Sequence, residues 1–214
     1  MVHDVQLDAD VVPESPQLRR SRGIKNMNHK PAVLILPGLG NSGPEHWQSH
    51  WERRDPSLER VIQDEWEAPL CQDWIEQLSR VLLQHSAQVV LVAHSSACAL
   101  IAHWAASASE QLLERVCGAL LVAPSDPENP NYPAGPTGFA PVPMIRLPFL
   151  SIVVASSDDR YVDPRLAFRC AAAWGSRFVL LDSAGHINAA AGFGPWPEGY
   201  ALLDSLRTAE LVDG

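Results

Sequence analysis

The stretch from Gln88 to Trp104 constrains the fold more than any other part of the chain. Val89-Val90-Leu91-Val92 is a short run of β-branched and aliphatic residues with no polar alternation, the mark of a central strand covered on both faces. The segment from Ala97 to Ala106 is rich in Ala and Leu and predicts a helix. Between them lies Ala93-His94-Ser95-Ser96-Ala97, a small-x-Ser-x-small pattern. Such a pattern suits a sharp strand-to-helix turn, because the two backbones pass close together and leave no room for bulk beside the serine. Glycine is usual at both small positions; here both are alanine. The turn would lift the Ser95 hydroxyl above the carboxyl edge of the sheet, where open α/β sheets bind ligands. It would also set it over free helix N–H groups and a partial positive charge. The Ser96 N–H then becomes a candidate donor to an oxyanion. On the pentapeptide alone, a serine-rich helix cap without chemistry fits as well.

The remainder of the chain repeats this alternation. Strands are expected at 32–36, 60–64, 89–92, 118–122, 150–155 and 178–181. Helices are expected at 44–54, 71–84, 97–108, 164–174 and 197–211, with Pro44, Pro164 and Pro197 in first-turn positions. Strands that alternate with helices imply a mostly parallel sheet of about six strands with helices on both faces, a three-layer α/β sandwich. Residues 31–214 read as one domain, in keeping with their length. Residues 1–30 read as a polar arm, with an Arg19-Arg20-Ser21-Arg22 cluster and no apolar periodicity. A long proline-rich stretch at about 124–148 reads as a loop partly covering the site or, failing that, as a stiff surface crossing.

Composition narrows the function classes. A formal net charge of −9 argues against nucleic acid or an anionic membrane as partner. No apolar run has the length of a membrane span, and residues 1–30 lack the apolar core of a secretory signal. Cys71, Cys98, Cys117 and Cys170 form no C-x-x-C pair. This favours reduced, buried thiols and a cytoplasmic setting over a disulfide framework or a zinc site.

A reactive serine needs a base, and the base an orienting acid, in the chain order Ser, acid, His for a turn of this kind. Of eight histidines, His186 alone follows the last strand on a glycine-containing loop, downstream of Ser95. The acid is expected after the preceding strand, where Asp158 and Asp159 are adjacent. The spacing to Val162 and Pro164 selects Asp159, with Asp158 one register away; Asp126 and Asp182 are poorer placements. The glycine-rich loop Leu36-Pro37-Gly38-Leu39-Gly40 offers a second oxyanion donor, the N–H of Leu39 or, next, of Gly40. It lacks the lysine and spacing of a phosphate loop. His46 and His50 stand four residues apart but lack the glutamate and third ligand of a zinc helix. No metal and no cofactor is expected. The tryptophans at 47, 51, 66 and 74 read as packing.

Four stretches together resemble the small α/β-hydrolase-fold serine hydrolases of the retinoblastoma-binding-protein-nine and YdeN group. They are Leu34 to Trp47, Ala93 to Ala97, Val154 to Val162, and Ala184 to Asn188 with Gly192 to Gly199. The resemblance spans about residues 31–211. It implies an α/β-hydrolase-type sandwich with a nucleophile at Ser95, an acid at Asp159 and a base at His186. It also implies a small-molecule ester or amide as substrate. The Leu-x-Cys-x-Glu motif for binding retinoblastoma protein is absent, so that partner is not implied. Two functions follow: a serine hydrolase acting through an acyl-enzyme, or a binding protein that keeps the fold with little chemistry.

Overall fold

The computed structural model describes residues 30–209. The polar arm expected at 1–30 therefore lies, apart from Lys30, outside the described residues, as do the last two residues of the helix expected at 197–211. Six strands form one wholly parallel sheet: β1 (Ala32–Leu36), β2 (Leu58–Arg60), β3 (Val89–His94), β4 (Val116–Val122), β5 (Leu150–Ser156) and β6 (Arg177–Leu181), in the order β2-β1-β3-β4-β5-β6. The helices are α1 (Trp47–Arg54), α2 (Cys71–Gln84), α3 (Ser96–Ser107), the short α4 (Glu110–Leu113), α5 (Pro164–Trp174) and α6 (Pro197–Ala209).

Alternation along each strand divides the core in two, because successive side chains leave a strand on opposite faces. Leu34, Leu36, Leu91, Ala93 and Leu121 pack with α2, α3 and α5. Val33, Ile35, Val90, Val92 and Val122 pack with Trp47 and Trp51 of α1 and Leu203 and Leu206 of α6. The sheet is thus buried on both sides, which is why its central strands read as continuous apolar runs.

Strand order locates the site before any side chain is considered. The chain leaves β1 outward to edge strand β2, then returns through α2 to β3 on the other side of β1. The direction of winding reverses between β1 and β3, and α/β sheets open a crevice at the carboxyl ends of such a pair. The loop after β1 carries Gly38 and Leu39; the turn after β3 carries Ser95.

Two local expectations need correction. The second strand is Leu58–Arg60 rather than 60–64. Leu58 supplies its one buried side chain, and Arg60 turns outward into a polar network with Glu52, Asn41 and Ser49. Pro44 lies ahead of α1, not in its first turn. The helix is capped by His46, whose Nδ1 accepts from the Gln48 N–H at 3.2 Å. Pro164 does occupy the first turn of α5, behind an Asp163 cap.

The segment 124–148 joins β4 to β5 without a helix or strand of its own. It is pinned across the α2–α3–α5 layer. Thr137 exchanges backbone bonds with Pro69 and Cys71, Phe139 is buried against Trp74, and the Trp174 indole donates to the Pro143 carbonyl at 2.9 Å.

Candidate active site

Ser95 occupies a left-handed backbone conformation, φ 59° and ψ −125°, between β3 and α3. A non-glycine residue there costs on the order of 1–3 kcal/mol and persists only where its surroundings impose it. They do so here: Ala93 and Ala97 are fully buried on either side, and the Ser95 N–H is tied to the Val122 carbonyl of the neighbouring strand at 2.9 Å. Across the crevice, a Cβ on Gly38 would lie 2.8 Å from Ser95 Cβ and 3.0 Å from the His94 carbonyl. Only a glycine lets the β1 loop approach the serine this closely.

His186 arrives from the loop after β6. Its Nε2 is 2.9 Å from Ser95 Oγ, and its Nδ1 is 2.7 Å from Asp159 Oδ2. The Asp159 carboxylate is fully buried and the His186 side chain 11% exposed. Because a carboxylate only accepts, Nδ1 carries the proton and donates. Nε2 is then left with a lone pair aimed at the serine hydroxyl. The second Asp159 oxygen accepts from the Tyr161 N–H at 2.9 Å, fixing the carboxylate in its plane. Val162, whose spacing selects Asp159 in the sequence, is buried against Ala155 and Ala167 and closes this loop onto β5 and α5.

The neighbouring Asp158 points elsewhere. It accepts from Ser156 Oγ and from the Gly185 N–H, each at 2.7 Å. Those bonds, led by the one from Ser156, hold its carboxyl below the usual range. Asp158 therefore ties down the loop that carries His186 and does not touch the ring. Asp182 bonds Ser157, and Asp126 caps its own turn at Glu128.

Leu39 and Ser96 both line the cleft above Ser95, which has a volume of about 200 Å³. The Gly40 N–H, the other candidate donor in the β1 loop, is already bonded to the Trp66 carbonyl at 2.9 Å. Leu39 remains the candidate donor on this side. The Ser96 N–H stands at the start of α3, where helix N–H groups lack intrahelical partners.

Four residues of the site carry no signal in local sequence. Ser125, after β4, has its hydroxyl 2.8 Å from Ser95 Oγ. With the Ser95 proton directed at His186, Ser125 is the donor in that contact. His94 lines the cleft, and its Nε2 donates to the His186 carbonyl at 3.0 Å. Tyr132, from the 124–148 segment, donates to Ser96 Oγ at 2.9 Å, and the Tyr161 ring stands edge-on to His186. Each depends on a long-range approach that spacing along the chain does not reveal. His46 also lines the cleft. Burial, followed by the nearby charges of Arg60 and His186, lowers its pKa from 6.5 to about 3, and burial likewise drives that of His94 well down. Both rings are neutral at ordinary pH. His50 instead faces Glu45, so the two histidines of α1 and its cap do not converge. Among the described residues no group of three or more His, Cys, Asp or Glu side chains is placed to hold a metal, and all four cysteines are buried.

This arrangement can be set beside known proteins. A family model described as serine hydrolase matches residues 33–205. The chain belongs to the serine hydrolase family. Among solved structures, the chain is similar to a protein of Pectobacterium atrosepticum described as a YdeN-like hydrolase, at 32% identity and a TM-score of 0.71, over 85% of this chain and 92% of that one. It is similar also to the ydeN gene product of B. subtilis, at 21% identity and a TM-score of 0.65, over 82% and 98%. An esterase of Thermogutta terrifontis shares the fold at 14% identity and a TM-score of 0.59, over 82% and 89%. No curated relative matches. The protein is a serine hydrolase of the YdeN group, with an all-parallel α/β-hydrolase sheet. No helix among the described residues is long and apolar enough to cross a membrane.

Proposed function

We propose that this serine hydrolase cleaves a small carboxylic ester, or a related thioester or amide, through an acyl-enzyme on Ser95. The observation that supports this most is the unbroken hydrogen-bond chain from Asp159 through His186 to Ser95. In the first half-reaction Ser95 Oγ attacks the carbonyl carbon as its proton passes to His186 Nε2. The bond to the leaving group then breaks, and His186 delivers that proton to the departing atom. In the second half-reaction water attacks the acyl carbon, loses a proton to Nε2, and Ser95 takes it back as the acid leaves. Asp159 holds the ring in one tautomer and stabilises the imidazolium formed in each half. The negative charge that develops on the carbonyl oxygen is met by the N–H groups of Leu39 and Ser96, whose positions are fixed in advance.

The cleft's polar wall and modest volume suit a compact reacting group. A binding role without chemistry is disfavoured, since the buried carboxylate and the strained serine both cost stability that a mere scaffold has no use for. The test is hydrolysis of p-nitrophenyl acetate by wild type and Ser95→Ala. Loss of about 10³-fold or more in kcat is expected with an unchanged melting temperature. A folded variant that retains the wild-type rate overturns the assignment.

A further inference from the structure

A second cavity of about 200 Å³ adjoins the catalytic cleft and differs from it in character. It lies between the start of α3, both ends of the 124–148 segment and α5. Ala99, Val142, Met144, Val162, Leu166 and Trp174 give it a mostly apolar wall, to which Asp126, Glu128 and Arg169 add charged side chains. Ser125 lines both cavities. Since Ser125 Oγ is 2.8 Å from Ser95 Oγ, the second chamber begins one hydrogen-bond length from the nucleophile. Ala99 lies one helical turn beyond Ser95, so the floor of the chamber is continuous with the nucleophile's own helix.

From this geometry we infer that the chamber receives the apolar acyl chain of the substrate. Orientation decides between the acyl and alcohol halves. The leaving atom must face His186 Nε2, which delivers its proton, and His186 does not line the chamber. The half of the substrate directed away from His186 is the acyl half. Size sets the class, for an apolar cavity of about 150 Å³ accommodates benzene. A space of 200 Å³ takes an unbranched chain of medium length or one aromatic ring, and its mostly apolar wall favours an apolar group over a charged one. The inference rests on the acyl-enzyme reading of Ser95.

The experiment measures kcat/KM for two ester series. One is p-nitrophenyl esters of acetate through octanoate; the other is alkyl acetates of matching length. Wild type is compared with Val142→Phe, which narrows the chamber, and Leu166→Ala, which enlarges it. Melting temperatures identify any variant that fails to fold, and fluorophosphonate labelling of Ser95 is read in parallel. In wild type the acyl series should rise by about fourfold for each methylene that enters. Val142→Phe should lower the hexanoate-to-acetate ratio about tenfold or more, and Leu166→Ala should move the optimum to longer chains. If Ser95 is labelled and acetate is cleaved, but both variants keep the wild-type acyl profile, the chamber assignment fails alone. A length dependence confined to the alkyl acetates overturns it likewise. If Ser95 is not labelled and no ester is cleaved, the acyl-enzyme reading fails and the chamber assignment with it.

Discussion

Ser95 and His186 meet at 2.9 Å, but the two regions that present them are built by different means. The turn around Ser95 is held by packing. Ala93 and Ala97 are fully buried, the Gly38 backbone presses from across the crevice, and β3 is enclosed on both faces. The loop from Asp182 to Trp196 is mostly half-buried or exposed, and is held by polar tethers. Asp158 takes the Gly185 N–H and Ser156 Oγ the Ala184 N–H; His94 donates to the His186 carbonyl, and the Trp47 and Trp51 indoles to the carbonyls of Ile187 and Pro195. Ser183, Ile187 and Trp196 have positive φ, so this loop too is strained, and its many tethers, together with the buried side chains of Ala184, Ile187 and Trp196, keep it in place. A nucleophile must sit at one point on a rigid sheet. A base must hold one ring orientation and one tautomer, and directional bonds specify those better than apolar contact does.

The contrast can be broken at several points. The largest effect is expected at the junction of the two regions. Asp159→Asn keeps the shape but loses the charge and favours the wrong tautomer, so kcat should fall on the order of 10⁴-fold. Asp158→Asn, which touches only a tether, should cost far less. Comparing kcat for this pair tests the separation of roles, and a larger loss at Asp158 would reverse them.

Gly38→Ala attacks the packed region. The added methyl meets backbone and Ser95 Cβ, neither of which yields cheaply. Displacing a reacting atom by about 1 Å can cost ~10²-fold in rate. Ala97→Val should act in the same direction from the helix side. Turnover and melting temperature of both variants report on this, and wild-type rates would show that the backbones are not closely apposed.

Trp47→Phe attacks the tethered region. It keeps most of the ring but removes the bond to the Ile187 carbonyl, leaving a buried acceptor unpaired at a cost of about 1–3 kcal/mol. A lower melting temperature and a fall of about tenfold or less in kcat are expected. An effect on turnover as large as that of Gly38→Ala would erase the distinction between the two regions.

The smallest effect on turnover is expected from the buried histidines, whose influence is on stability against pH. His46 and His94 are buried neutral, with folded pKa values below the ordinary 6.5. Below that pH the unfolded chain binds protons that the folded chain refuses. Their contribution to stability is therefore complete above about 6.5 and is lost as pH falls. For His46 the loss runs from 6.5 down to about 3, at up to about 1.4 kcal/mol per pH unit. His46→Asn keeps a side-chain acceptor at the α1 cap and removes the titrating ring. Denaturant midpoints from pH 7 to 4 should therefore fall less steeply in the variant. An equal slope would show that His46 is not held neutral.

The same division explains what was legible in the sequence. Packing leaves local traces: the apolar run of β3, the small residues flanking Ser95, and Val162 three places after Asp159 all follow from nearest-neighbour geometry. The positions of Ser95, Asp159 and His186 could therefore be chosen from spacing and chain order. Tethers leave few traces. Nothing near Ser125 marks it as a neighbour of Ser95, thirty residues away, and His94 reads as a variable residue until the base loop is seen above it. The sequence places Arg60 in a strand running to Asp64, because its network with Glu52, Asn41 and Ser49 depends on the tertiary placement of α1 and the β1 loop.

The activated state of Ser95 is tested most directly by reaction of the folded protein with a fluorophosphonate probe, followed by mass spectrometry of the modified peptide. Wild type should be labelled stoichiometrically on Ser95, with Asp159→Asn labelled far more slowly and Ser95→Ala not at all. Absence of labelling in folded wild type, or modification of Ser96 or Ser125 in place of Ser95, would contradict the assignment of the nucleophile.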